Sequence, residues 1–226
     1  MSYPVNDSLV NMGFFIADPS PWPDASRLTL PGKRDDIANA VEGWSSAVRG
    51  LASLFPDEPV VWGLFDMYEH PAPSYVEAGG GGRVCIAGDA AHASTPHHGA
   101  GATIGVEDAL ALTAAVKLVV EKLQFAKTGS KDEEEYPDPL LGVKARYLAA
   151  ALRIFSDVRY ERSQWLVRSS RDGGLIYEWQ YPASLDDPIK IEREFDERFE
   201  KIQTFNVDRM VLKVRNTLLS IVNKER

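Results

Sequence analysis

A chain of 226 residues, 44% hydrophobic and 26% charged, can bury one sizeable core or two small lobes and is not a disordered segment. Its formal charge of −8, with no local cluster of Lys and Arg, excludes nucleic acid as a partner, because phosphate binding requires concentrated positive charge. One cysteine, Cys85, excludes an intramolecular disulfide and fits core packing; no signal sequence and no run of about 18 apolar residues are found, so a soluble cytoplasmic protein without a membrane span is expected.

Residues 1 to 78 hold short strand-like runs separated by Pro-rich turns, among them Tyr3-Pro-Val, Leu9 to Ala17 and Val60 to Tyr68. Between them a single helix is predicted over Arg34 to Leu54, where Ile37, Val41, Trp44, Val48 and Leu51 recur at three- and four-residue spacing. Pro71, Pro73 and the Gly79 to Gly82 run form a connector to an apolar segment, Arg83 to Ala87, of buried-strand type. Gly88-Asp89 breaks that strand and leaves one carboxylate at its end, where a ribose hydroxyl can donate to it. Pro96, Gly99 and Gly101 then open a long helix predicted from about Ile104 to Phe125, whose unpaired N–H groups and positive dipole end suit an anion or an electron-rich carbonyl edge.

Thr128 to Pro139, with Lys131-Asp-Glu-Glu-Glu135, lacks apolar periodicity and reads as an exposed loop. A second long helix is predicted from Leu140 to about Arg171, with Leu141, Ala145, Leu148, Leu152 and Phe155 on one face. Arg159, Arg162, Arg168 and Arg171 suit its C-terminal part, and Gly173-Gly174 is expected to end it. The tail from Ile189 to Val222 is again helical, with Phe195, Phe199, Ile202 and Phe205 spaced to cover a groove.

Several unlike residues at fixed spacing set the segment from Arg83 to Ala109 apart: Gly88-Asp-Ala-Ala-His92, Pro96, Gly99-Ala-Gly101 and Glu107-Asp-Ala109. This run resembles the second flavin-binding motif of the single-component, FAD-dependent aromatic hydroxylases, the family that includes salicylate hydroxylase. The resemblance covers nearly all of residues 1 to 180, with Arg159 to Arg171 similar to the family's terminal helix and its solvent-facing arginines. It implies that Gly88 and Asp89 bind the ribitol or ribose region of FAD. The loop of Pro96, Gly99, Ala100, Gly101, Ala102 and Thr103 would lie along the isoalloxazine ring. The glycine-rich pyrophosphate loop of complete members, Gly-x-Gly-x-x-Gly, does not occur in these 226 residues, nor does their middle Asp-Gly motif, since Asp172-Gly173 falls in the terminal helix. Thr103 and Ile104 stand where relatives often carry small or amide residues.

The fold expected from this resemblance is α+β or α/β: part of a flavin-monooxygenase fold with substrate-domain strands, one flavin-motif strand and long C-terminal helices. Residues 1–78 would be the remnant of a substrate-binding β-sheet domain, 79–180 the C-terminal part of the FAD-binding domain, and 181–226 a helical extension. The implied activity is hydroxylation of a small aromatic substrate with FAD, NAD(P)H and O2, completed by a Rossmann-containing N-terminal chain or by a homo-oligomer. Phe15, Trp62, Phe65 and His98 are the residues assigned to a substrate pocket, and His97 and His98 are the catalytic candidates by analogy. A metal site at His92, His97 and His98 would need further converging donors. Two other readings stand beside this one. In the first, a retooled non-redox enzyme uses His70, His97, His98 or Asp66; in the second, the chain is a non-catalytic partner-binding module.

Overall fold

The computed structural model describes residues 1–16, 18, 20–77, 82–127 and 141–223, with side chains at 125–127 and 141 left undescribed. The predicted loop from Thr128 to Pro139, and Gly79 to Gly81 of the connector, lie outside these residues. The chain forms two compact units, Met1–Leu64 and Phe65–Arg226.

In the first unit, β1 (Ser2–Asn6) and β2 (Leu9–Met12) make an antiparallel hairpin. The side chain of Asn6 accepts from the backbone N–H of Ser8 at 3.0 Å, which closes the turn. A second antiparallel pair joins β3 (Thr29–Pro31) to β4 (Val60–Trp62). The helix expected over Arg34 to Leu54 is instead two, α1 (Arg34–Ala40) and α2 (Ser46–Ala52). Ser45 is the cause: its hydroxyl accepts from the N–H of Val48 and restarts the helix after Gly43. The break divides the expected apolar face, so Ile37, Val41 and Ala52 form a small core with Phe14, Val48 and Phe55, while Trp44 and Leu51 stay exposed.

The second unit contains α3 (Asp89–His92), a 3-10 turn (Pro96–His98), α4 (Gly101–Lys127), α5 (Leu141–Tyr177), α6 (Pro188–Gln203) and α7 (Val207–Val222). Its core lies between α4, α5 and α7. Ala111, Ala114 and Ala115 on α4 and Ala151 on α5 keep the helices close, with Leu118, Phe155, Val214 and Leu218 filling the seam. Asp187 caps α6 by accepting from Ile189 and Lys190, and Asn206 caps α7 by accepting from Arg209. The aromatic residues of α6 cover α5 as their spacing predicts: Phe195 meets Tyr177 with centroids 4.6 Å apart.

Arg83 to Ala87 is extended but pairs through a single bridge, Val76 to Cys85, with Ile86 donating to the carbonyl of Tyr75 at 2.9 Å. Side chains of α5 hold the opposing segment at Tyr75. Ser156 Oγ accepts from the N–H of Tyr75, and the buried Tyr75 hydroxyl lies 2.5 Å from Ser163 Oγ and takes a bond from Gln164. Burial pushes the Cys85 thiol pKa up, in keeping with its packing role.

Helix α5 does not stop at Gly173-Gly174 but runs on to Tyr177. A Cβ at Gly174 would sit 2.7 Å from the His97 ring, and one at Gly173 3.1 Å from the His98 ring. These glycines serve close approach, not helix termination. No helix among the described residues is long and apolar enough to cross a membrane.

Candidate functional site

The turn at Gly88 anchors the site. Its φ of +58° is one that a side chain resists, and its N–H donates to Asp108 Oδ2 at 2.9 Å. Asp108 Oδ2 also lies 2.7 Å from His92 Nε2, while Oδ1 accepts from Arg159 Nε at 2.7 Å. Burial pushes the Asp108 carboxyl upward, but the bonds from His92, Arg159 and Gly88 outweigh it and hold it below the ordinary carboxylate range. One buried carboxylate therefore ties the turn and the short α3 to the bodies of α4 and α5.

Arg159 is wholly buried and also bonds Glu107 at 2.7 Å; Arg162, nearly as buried, bonds the other oxygen of Glu107 at 3.1 Å. The expected solvent-facing arginines are thus, at these two positions, an interior network. Only Arg168 is exposed, while Arg171 pairs with Asp66 at 2.7 Å. Two adjacent acids on an otherwise apolar helix, and two arginines three residues apart on the next, were the signal for it, because buried charges must be paired.

Asp89 follows the turn with its side chain exposed, while Ala91 and His92 behind it are buried. The loop then turns through Pro96–His98 and closes on Gly99 at φ +60°, so that α4 begins at Gly101. Pro96, Gly99, Ala102 and Thr103 are exposed, Ala100 is buried and Gly101 is half-buried. Gly101, Ala102 and Thr103 are the first three residues of the 27-residue helix α4, and first-turn N–H groups have no acceptor within their own helix. A Cβ at Gly88 or Gly99 would meet nothing within 4 Å, so the space beside both turns is open. Open glycine turns, an exposed carboxylate and first-turn helix amides fit a ligand with hydroxyl groups and an electron-rich edge, as FAD has.

His97 and His98 face inward from this loop. His98 Nε2 donates to the Ser169 carbonyl at 2.8 Å, its ring stands edge-on to Phe199, and its buried Nδ1 has no partner among the described residues. His97 Nδ1 lies 2.9 Å from Thr95 Oγ1 and 3.2 Å from the Ser170 carbonyl. Burial pushes the pKa of both imidazoles down, most directly by disfavouring the cation. Of the other residues assigned to a substrate pocket, Phe15 and Trp62 belong to the first unit and are exposed there, while Phe65 opens the second, where it is also exposed. Two residues on, the Met67 N–H donates to the Ala93 carbonyl at 3.0 Å. Among the described residues, no three His, Cys, Asp or Glu side chains are grouped as a metal would require.

The turn, loop and helix are carried on a helical bundle, and comparison with known proteins shows what this chain resembles. Residues 68–123 match the FAD binding domain family model. Over the whole chain, 40% of residues are identical to those of an FAD-dependent monooxygenase of Stachybotrys chartarum, and 95% of the chain aligns at 40% identity with a salicylate hydroxylase of Sarocladium schorii. The chain spans 44% of the former's length and 43% of the latter's. A solved salicylate hydroxylase substrate complex superposes with a TM-score of 0.69 at 27% identity, covering 94% of this chain and 46% of that one. The chain is therefore a relative of the FAD-dependent monooxygenases of salicylate-hydroxylase type, corresponding to a C-terminal portion of them with the matching partial fold.

Proposed function

We propose that this chain supplies the ring-side and ribityl-side half of an FAD site in a monooxygenase that hydroxylates a small phenolic or salicylate-like substrate, using NAD(P)H and O2. The observation that carries this reading is the row of first-turn amides at Gly101, Ala102 and Thr103, opening α4, together with the exposed Asp89. Bound FAD would supply the redox chemistry, taking electrons from the nicotinamide and delivering oxygen to the substrate. Asp89 accepts hydrogen bonds from hydroxyl groups, and the α4 amides together with the helix dipole favour negative charge at the ring's pyrimidine edge. The Asp108 network fixes where both are held.

The same reading gives the chain a partner: an N-terminal portion with the glycine-rich pyrophosphate loop, docked against the apolar side chains exposed around the motif. Val84, Val106 and Leu110 are 59%, 60% and 41% exposed. The non-redox reading gains no support from Asp66, which is occupied by Arg171. Titration of the purified chain with FAD, followed by flavin fluorescence, tests the proposal. Saturable quenching is expected, weakened about tenfold in Asp89→Ala by loss of a charge-assisted bond. Equal affinity in wild type and variant would remove Asp89 from the site, and no binding to either would remove the flavin from this chain.

A further inference from the structure

Away from the flavin motif, a cavity of about 740 Å3 opens between α5 and the bend from α6 to α7 at Thr204 to Asn206. Its back wall is Arg162, whose guanidinium donates to the carbonyls of Lys201 and Ile202 at 2.7 and 3.2 Å and lies 4.3 Å from the Phe205 ring centroid. Arg162 thereby satisfies the end of α6 and fixes the bend, while Glu107 neutralises its charge.

The other cations lining the cavity have no such partner. Arg168 on α5, Lys201 on α6, and Arg209 and Lys213 on α7 are exposed, and among the described residues none of them forms a salt bridge. Glu161 is the one carboxylate in the lining. Lys201 Nζ sits 4.2 Å from the Trp165 ring centroid, which orients this ammonium without cancelling its charge. In a chain with a net charge of −8, folding brings four cations from three helices, none of them in a salt bridge among the described residues, into one concave space. With Glu161 the one acid among them, these like charges repel one another, and a bound anion relieves that repulsion.

From this we infer a second ligand site that binds a small, multiply charged anion of phosphate or polycarboxylate type. The volume falls within the range of small-molecule sites, roughly 300–1,000 Å3, and so accommodates a ligand up to nucleotide size. The inference does not depend on the flavin reading, since none of the residues lining the cavity belongs to the flavin motif.

Isothermal titration of the full 226-residue chain with pyrophosphate, and separately with citrate, tests it. Saturable binding that weakens with added salt is expected for at least one of the two. Preference for pyrophosphate would assign a phosphate ligand, and preference for citrate a carboxylate one. The double variant Arg168→Ala/Arg209→Ala, whose melting curve verifies folding, should bind about tenfold more weakly. The control Arg27→Ala/Lys33→Ala, in the first unit, should match wild type. Absence of saturable binding, unchanged affinity in the first variant, or an equal loss in the control would each overturn the site.

Discussion

At Asp108 a single carboxylate answers three donors from three pieces of chain: the Gly88 amide, His92 and Arg159. Asp108→Ala leaves the wholly buried Arg159 with only part of its pairing, and breaking a buried ion pair in this way costs about 3–5 kcal/mol. Chemical denaturation should show that loss, and FAD affinity should fall with it as the Gly88 turn loosens. The sign of the pH dependence follows from the lowered carboxyl pKa. The stabilisation is fully present above the unfolded value of about 3.9 and is lost as pH falls through the folded value. His98 acts in a higher window. Burial disfavours its cation and lowers its pKa, and among the described residues its buried Nδ1 has no partner. Below the unfolded value of about 6.5 the unfolded chain takes up a proton first, so native stability should decline from pH 7 toward pH 5. A His98→Asn variant, less stable overall, should show a shallower slope in urea titrations across that range.

Much of the element order is legible in the sequence because long amphipathic helices repeat their signal many times: α4, α6 and α7 lie close to where periodicity puts them. Two of the departures have a tertiary cause and one, at Ser45, a local one. Gly173-Gly174 carries a helix-stop composition, yet the His97 and His98 rings require that space and α5 continues through it. The capping hydroxyl of Ser45 outweighs an apolar stripe that spans the break. Arg159 and Arg162 read as surface cations because nothing in their own helix shows the acids of α4 facing them. Within the motif, residue spacing singles out Gly88, Gly99, Gly101 and the Glu107-Asp108 pair, whereas the bonds of Asp108 to Gly88, His92 and Arg159 join residues far apart in sequence and become visible in three dimensions. A substitution pair tests the glycine argument. Gly→Ala in a helix interior ordinarily stabilises by about 0.5–1 kcal/mol, as expected at Gly105 within α4, where a Cβ would meet nothing. At Gly174 the same change strikes the His97 ring at 2.7 Å and should instead destabilise by about 1–3 kcal/mol. Thermal melts of the two variants, moving in opposite directions, are the check.

For the molecule as a whole, the proposed flavin site would offer contacts to the ring and ribityl side alone, because no Gly-x-Gly-x-x-Gly loop for the pyrophosphate occurs in these 226 residues. Affinity lost with those contacts should return when a polypeptide carrying them is supplied, each 1.4 kcal/mol of recovered binding energy being worth about tenfold. Co-expression with the N-terminal half of a related FAD-dependent monooxygenase should therefore yield a complex that binds FAD at least about tenfold more tightly than this chain by itself. The exposed Val106 and Leu110 beside the motif give the control. Val106→Lys/Leu110→Lys places two charges on the proposed docking face without entering the core, so the variant should fold and melt as wild type yet fail to co-purify with the supplied half. Co-purification by this variant as by wild type would move the contact elsewhere on the molecule. A wild-type complex with no gain in flavin affinity would instead separate docking from cofactor binding and leave the amides of α4 facing some other ligand.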